Sequence, residues 1–316
     1  MNRYLPLGAV LGAALLAPLA VAPASASTTP LSPARSAPTS TTAAAKPAPI
    51  KGVAVYARFN RGYVVTRFEP GKGPIRLGVT PETGQFSASP DGRKIAWITG
   101  LGKVQVSAAG KVTTLAKGAG ANAPCLTPVW SPDSAKVAFL PSSESDASPV
   151  AIAGAAGGGT RKAGTTMGVC HLAWSADGRY LAGYAGTTDG VYRLDLRART
   201  SVRVKGVKLA NHVQSLSPHG ERVVVATLSP KDPGGDGGWP VWFRPTIVDT
   251  TTGAKVPIAV RGRLIGALYL PDGRLVVRVA GSGHNTLVVL DASGRQLQRL
   301  AEPAQARTQA LLQIVR

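Results

Sequence analysis

The stretch that most constrains this chain is Ser89-Pro90-Asp91-Gly92-Arg93-Lys94-Ile95-Ala96-Trp97. Proline presets φ for the first central position of a tight turn, aspartate tolerates the second, and glycine takes the positive-φ place. That is a type I turn with a glycine bulge, the connection that joins two antiparallel strands. The apolar run after the basic residues is then the second of those strands. Degraded copies follow at Trp130-Ser131-Pro132-Asp133-Ser134, Trp174-Ser175-Ala176-Asp177-Gly178-Arg179, Ser217-Pro218-His219-Gly220-Glu221-Arg222 and Leu270-Pro271-Asp272-Gly273-Arg274. Equivalent positions 89, 131, 175, 217 and 270 stand 42, 44, 42 and 53 residues apart. A period in the low forties, with strand patterns and no helical ones, predicts the blades of a β-propeller.

With tryptophan before the serine and a basic residue and strand after the glycine, the motif resembles the repeat of the TolB-like family of β-propellers. The resemblance runs from about Ile50 to the end of the chain. It departs from the pattern at Ser134 (no Gly), Ala176 (no Pro) and His219 (no Asp). Within each repeat, strand a precedes the turn, b follows it, and c and d form the next hairpin outward. This places b, c and d of the second blade at residues 94–98, 103–107 and 111–115. It places c and d of the fourth at 191–196 and 201–204, and those of the last at 286–290 and 296–300.

The first module offers b, c and d at 52–59, 63–68 and 75–78, but no strand a. At the other end, residues 310–315 (Ala-Leu-Leu-Gln-Ile-Val) are a spare apolar strand. Using that strand to close the ring removes two open sheet edges. The expected fold is therefore all-β: a six-bladed propeller of four-stranded antiparallel blades closed by the C-terminal strand. A short helix beginning near Pro303 competes for residues 304–310.

Residues 1–26 have the form of a secretory signal. Arg3 precedes an apolar core interrupted by Pro6 and Pro18, and Ala24-Ser25-Ala26 is a small-residue cleavage site. Once it is cleaved, no transmembrane segment is expected. Residues 27–49, rich in Ser, Thr, Pro and Ala, are expected to form a disordered linker, and residues 50–316 the propeller. The chain carries 36 basic against 16 acidic residues, a net charge of +20. Such an excess suits an anionic wall polymer or lipid surface, or it is simply a solvated surface. No nucleic-acid-binding motif accompanies it.

What the resemblance implies about the site is a ligand at the face bearing the d–a and b–c loops, around the channel mouth. Asn211, Cys125, Cys170, His171 and His212 lie just before three successive repeat turns. An insertion at residues 229–240 accounts for the 53-residue step and brings Asp236, Trp239 and, just beyond it, Trp242 to the same face. His171, Asn211, His212, Asp236, Trp239 and Trp242 are thus the candidate ligand-binding residues. Two cysteines in a secreted chain normally pair, so a Cys125–Cys170 disulfide is expected. A free pair, or two thiolates sharing a metal with His171 and His212, is the alternative, though close-spaced metal ligands are missing.

On the opposite face the a–b turns carry Arg93, Lys94, Lys136, Arg179, Arg222 and Arg274, a candidate ring for anionic surfaces. The c–d turns add Lys72, Lys111, Arg161, Lys162, Arg197, Arg199, Lys255 and Arg295. Gly281-Ser282-Gly283-His284 brings Ser and His together only in sequence, whereas a triad converges from separate elements, so it reads as a glycine-rich loop. Peptidases with similar propellers carry a separate hydrolase domain, and none is expected here after Arg316.

The expected function is a secreted, non-enzymatic, monomeric scaffold that binds a protein or another envelope component and needs no cofactor. One alternative is a small-molecule or glycan-processing enzyme at the channel mouth, which would need converged carboxylates or a metal there. Another is an electrostatic binder of anionic wall polymers.

Overall fold

The computed structural model describes residues 47–80, 83–232 and 238–315. In each of the five repeats the fourth turn residue donates its N–H to the carbonyl of the first. Gly92 bonds Ser89, Ser134 bonds Ser131, Gly178 bonds Ser175, Gly220 bonds Ser217 and Gly273 bonds Leu270, all at 2.8–3.0 Å. Each of these residues has positive φ, including Ser134 at 57°, where the repeat lacks its glycine. The serine that opens the turn closes it as well: its Oγ accepts the N–H five residues on, from Lys94, Lys136, Tyr180 and Arg222 in turn, at 2.8–2.9 Å. The aspartates accept the N–H two residues on, from Arg93, Ala135, Arg179 and Arg274.

These turns set the strand order. Blade 1 holds β1 (Ala54–Phe59), β2 (Tyr63–Phe68) and β3 (Ile75–Thr80), and blade 2 holds β4 (Phe86–Ala88), β5 (Lys94–Ile98), β6 (Val104–Ala108) and β7 (Lys111–Ala116). Blade 3 is β8 (Val129–Trp130), β9 (Lys136–Phe139), β10 (Ser148–Gly154) and β11 (Thr160–Thr166). Blade 4 is β12 (Gly168–Trp174), β13 (Tyr180–Ala185), β14 (Val191–Asp195) and β15 (Thr200–Arg203). Blade 5 is β16 (Ala210–Leu216), β17 (Arg222–Thr227), β18 (Thr246–Asp249) and β19 (Lys255–Val256). Blade 6 is β20 (Leu264–Tyr269), β21 (Leu275–Val279), β22 (Thr286–Leu290) and β23 (Gln296–Ala301), and β24 (Ala310–Ile314) ends the series. Among the described residues these form six four-stranded sheets. The expected strands recur with ends shifted by one or two residues.

The ring closes as the sequence requires. β24 pairs antiparallel with β1, Ala54 opposite Ile314 and Ala57 opposite Ala310, and becomes the innermost strand of blade 1. The competing helix survives only as a 3-10 turn, Ala304–Ala306. A buried ionic cluster holds this closure. Arg278, 1% exposed, pairs with Glu302 at 2.9 Å and donates to the carbonyls of Ala306 and Gln309. Tyr56 and Asn285 donate to the two oxygens of Glu302. Contacts with blade 6 also begin before residue 50. Ala48, expected in the linker, accepts a bond from Arg274, and Ile50 exchanges two bonds with the Gln298 amide.

Blades pack face to face through side chains of alternating strand positions, so each apolar cluster spans neighbouring sheets. Adjacent a–b turns also touch: Asp91 N–H donates to Ser134 Oγ, and Asp177 N–H to the Pro218 carbonyl. Residues 1–46, with the expected signal and nearly all of the linker, lie outside the described residues. Among the described residues no helix is long and apolar enough to cross a membrane.

Candidate functional site

Each innermost strand runs from the face of the d–a and b–c loops toward the a–b turns, so its first residues ring one end of the channel and its last residues the other. At the first end, three expected ligand residues meet. The His171 and His212 rings lie 4.1 Å apart, and Trp239 stands edge-on to both at 5.2 and 5.6 Å. His171 is placed there by a backbone at φ 45°, in a stretch where the β12–β13 register shifts. Its N–H donates to the Cys125 carbonyl at 2.8 Å. A non-glycine residue in this region marks a local constraint. Here the constrained residue packs its imidazole against His212 and Trp239.

The aromatic contacts continue on both sides. Trp239 reaches Phe86 of blade 2, Phe86 reaches Tyr63 of blade 1, and His212 reaches Phe243. Both histidines are buried. Desolvation holds the His212 imidazole well below its ordinary value, with the nearby His171 a lesser cause. Burial raises the Tyr63 hydroxyl, which a bond from the Trp239 backbone partly offsets. The insertion in blade 5 thus supplies a plug, and residues expected to greet a ligand at this mouth are packed against one another. Asn211 is half-buried beside them on β16. Trp242 turns away, 59% exposed on the outer wall, and Asp236 lies outside the described residues.

The channel opens at the other end. A cavity of about 390 Å³ is walled by residues at the ends of all six innermost strands, among them Ala88, Trp130, Trp174, Leu216, Tyr269 and Ile314. Trp239 forms its floor, and its rim consists of a–b turn residues: Pro90, Asp91, Pro132, Asp133, Ser134, Ala176 and Pro271. Polar groups are sparse on the walls and include Gln214, Gln313, Ser87 and Ser215. Gln214 Oε1 accepts the Ala267 N–H at 2.8 Å. An apolar cleft with a few polar groups is the usual form of a binding pocket. The sequence pattern could not reveal which end was sealed, because that depends on where one inserted tryptophan folds.

Cys125 and Cys170 form a disulfide, Cα atoms 4.7 Å apart. Only Cys170 sits on an innermost strand; Cys125 lies in the turn entering blade 3. With both sulfurs bonded, no thiolate remains for the shared-metal alternative. Among the described residues no group of three or more His, Cys, Asp or Glu is placed to hold a metal ion. The b–c loop carboxylates Glu144, Asp146 and Asp189 are exposed and none lines the cavity.

The basic ring is less free than its sequence suggests. Arg274 is 7% exposed and paired with Asp272, so it presents no charge to a surface. Arg179 grips Asp195 through two bonds, which holds that carboxyl at about 2. Lys94 donates to the Ser134 carbonyl and faces Asp91. Arg93, Lys136 and Arg222 make no ion pair among the described residues.

No protein-family profile and no curated protein matches the chain. Solved structures do. TolB from Acinetobacter baumannii superposes with a TM-score of 0.54 at 16% identity, over 84% of this chain and 68% of that one. The chain has the TolB-like propeller fold. A putative TolB from Agrobacterium tumefaciens gives 0.48 at 18% identity, over 79% and 90% of the two chains. A chain of the nidogen/laminin complex gives 0.50 at 9% identity, over 84% and 98%. Within that fold, this chain places an aromatic plug at one end of the channel and a cavity beneath it.

Proposed function

We propose that this protein is a secreted binding propeller that takes a segment of a protein or another envelope component into its central channel from the a–b turn face. The observation that carries the reading is the cavity: apolar, ringed by prolines, and floored by the His171–His212–Trp239 plug. Binding fits these groups better than catalysis. The rim aspartates, the carboxylates nearest the cavity, spend one oxygen each on the backbone of their own turns. The signal-like residues 1–26 and the disulfide support an oxidising, extracytoplasmic location. The partner is placed at the a–b turn end rather than at the d–a and b–c mouth because His171 and His212 are buried there against Trp239.

Ala176 tests the reading, because it stands at the rim where other repeats have proline and its side chain supports no core contact. The immobilised mature domain should capture a specific envelope component, and Ala176→Trp should lose it while keeping the wild-type melting temperature. Capture by the variant at wild-type yield would move the site out of the channel. A second reading, attachment to an anionic polymer through the c–d turns, rests on exposed bases there and is taken up at the scale of the whole molecule.

A further inference from the structure

The outer wall between blades 5 and 6 departs from the other blades, and the sequence gives the reason. β19 ends after Lys255–Val256, pairing only Val256 with Ile247 and Lys255 with Val248. Pro257 follows and has no N–H to continue the ladder. The chain then runs without a strand to Leu264, leaving a groove of about 1000 Å³ between β18 and the entry to blade 6. At its edge stands Trp242, the large side chain that the aromatic plug does not use. It is 59% exposed, with the Arg263 guanidinium 5.2 Å from its ring centroid. Arg244 and Lys255 line the same groove, all three bases are exposed, and no acidic residue is among the described residues that line it.

We infer that this groove is a binding site for an acidic saccharide. The exposed indole offers an apolar platform, and its flat face suits the C–H face of a pyranose ring. Guanidinium groups match the planar or tetrahedral oxygens of a carboxylate or phosphate on that sugar. A groove with three bases and no acid repels cations and leaves a neutral sugar with only the platform. An acidic peptide is the less favoured occupant. Past Ile247 the β18 edge offers Thr246 and then Pro245, too short and too poor in donors for strand addition. The site is separate from the channel, so this inference stands whether or not the channel reading holds.

Isothermal titration of the mature protein at low salt tests it, with four probes: an oligogalacturonate, a sugar-phosphate oligomer, a neutral maltooligosaccharide and an oligoglutamate. At least one acidic saccharide should bind, and the neutral one at least tenfold more weakly. The acidic probe that binds tells whether carboxylate or phosphate is the preferred group. Trp242→Ala and the double variant Arg244→Glu/Arg263→Glu should each weaken that binding tenfold or more. Arg93→Glu/Lys136→Glu, which reverses equal charge in blades 2 and 3 away from the groove, should leave it within twofold. Ala176→Trp, the channel variant, should also leave it unchanged, so the two readings fail separately. No binding of either acidic probe, equal losses from both charge reversals, full binding by Trp242→Ala, or tighter binding of oligoglutamate than of either acidic saccharide would each overturn the inference.

Discussion

Gly92 and Gly178 hold the same turn position in two blades, with φ of 63° and 76°, yet a methyl group would meet different surroundings. At Gly178 nothing lies within 4 Å, whereas at Gly92 a Cβ would sit 2.5 Å from Val315 on the closing segment. Gly178→Ala should therefore cost about 1 kcal/mol, the left-handed penalty alone. Gly92→Ala should cost about 2–4 kcal/mol, with overpacking added. Equal midpoint shifts in urea would refute the distinction. His212 allows a second test. It is neutral in the fold because burial depresses its value, while in the unfolded chain it titrates near about 6.5. Below that pH the unfolded state binds a proton the folded state refuses, so stability is full above about 6.5 and falls as pH drops. His212→Phe keeps a ring in the plug and should flatten the decline in melting temperature between pH 7 and 5; an unchanged slope would place the titrating group elsewhere. Asp195 and Asp291, both held at about 2, lose their contribution only below about pH 4, outside that window. At this scale the turn residues were legible in sequence by type. The serine's double role was not, because its partner lies five residues away across the bulge.

The closing strand was legible as an element, since blade 1 lacked its first strand and residues 310–315 had no other use. What fastens it was not. Arg278 and Glu302 are 24 residues apart, and nothing local marks a buried arginine inside a strand that otherwise holds Leu275, Val276, Val277 and Val279. Arg278→Met should destabilise by about 3–5 kcal/mol because it strands the Glu302 charge in the interior. The double variant Arg278→Met/Glu302→Leu should recover much of that loss. A double variant no more stable than the single one would mean that the cluster's bonds to Tyr56, Asn285 and the backbone matter more than its charge. Deleting residues 310–316 should lower the melting temperature and promote aggregation, because it bares the β1 edge. A truncation that melts like the full chain would show the closure to be dispensable. The weak outer strand of blade 5 follows from Pro257, a signal present in the sequence and visible once the register of β18 and β19 is known.

Seen as a whole, the face carrying the a–b and c–d turns is not a uniform basic disc. Its centre holds the channel rim, with Asp91 and Asp133, and the bases nearest it are partly spent on Asp91, Asp195 and Asp272. On the perimeter, Lys72 and Arg295 have acidic partners, whereas Lys111, Arg161, Lys162, Arg197 and Arg199 are exposed and make no ion pair among the described residues. The net charge of +20 said nothing of this arrangement, because it depends on which acids fold back onto their own turns. An anionic polymer approaching this face would be drawn to the perimeter and leave the rim free for a channel ligand. Reversing Lys111, Arg161, Lys162 and Arg197 to glutamate should then abolish retention on purified anionic cell wall at low ionic strength. Reversing Arg93 and Lys136 should reduce it only in part. Wild-type retention should itself fall steeply as salt rises, since exposed charges are screened beyond a Debye length of about 10 Å at 0.1 M. Retention that survives the perimeter reversal would leave the channel or the blade 5 groove as the surface that meets the envelope.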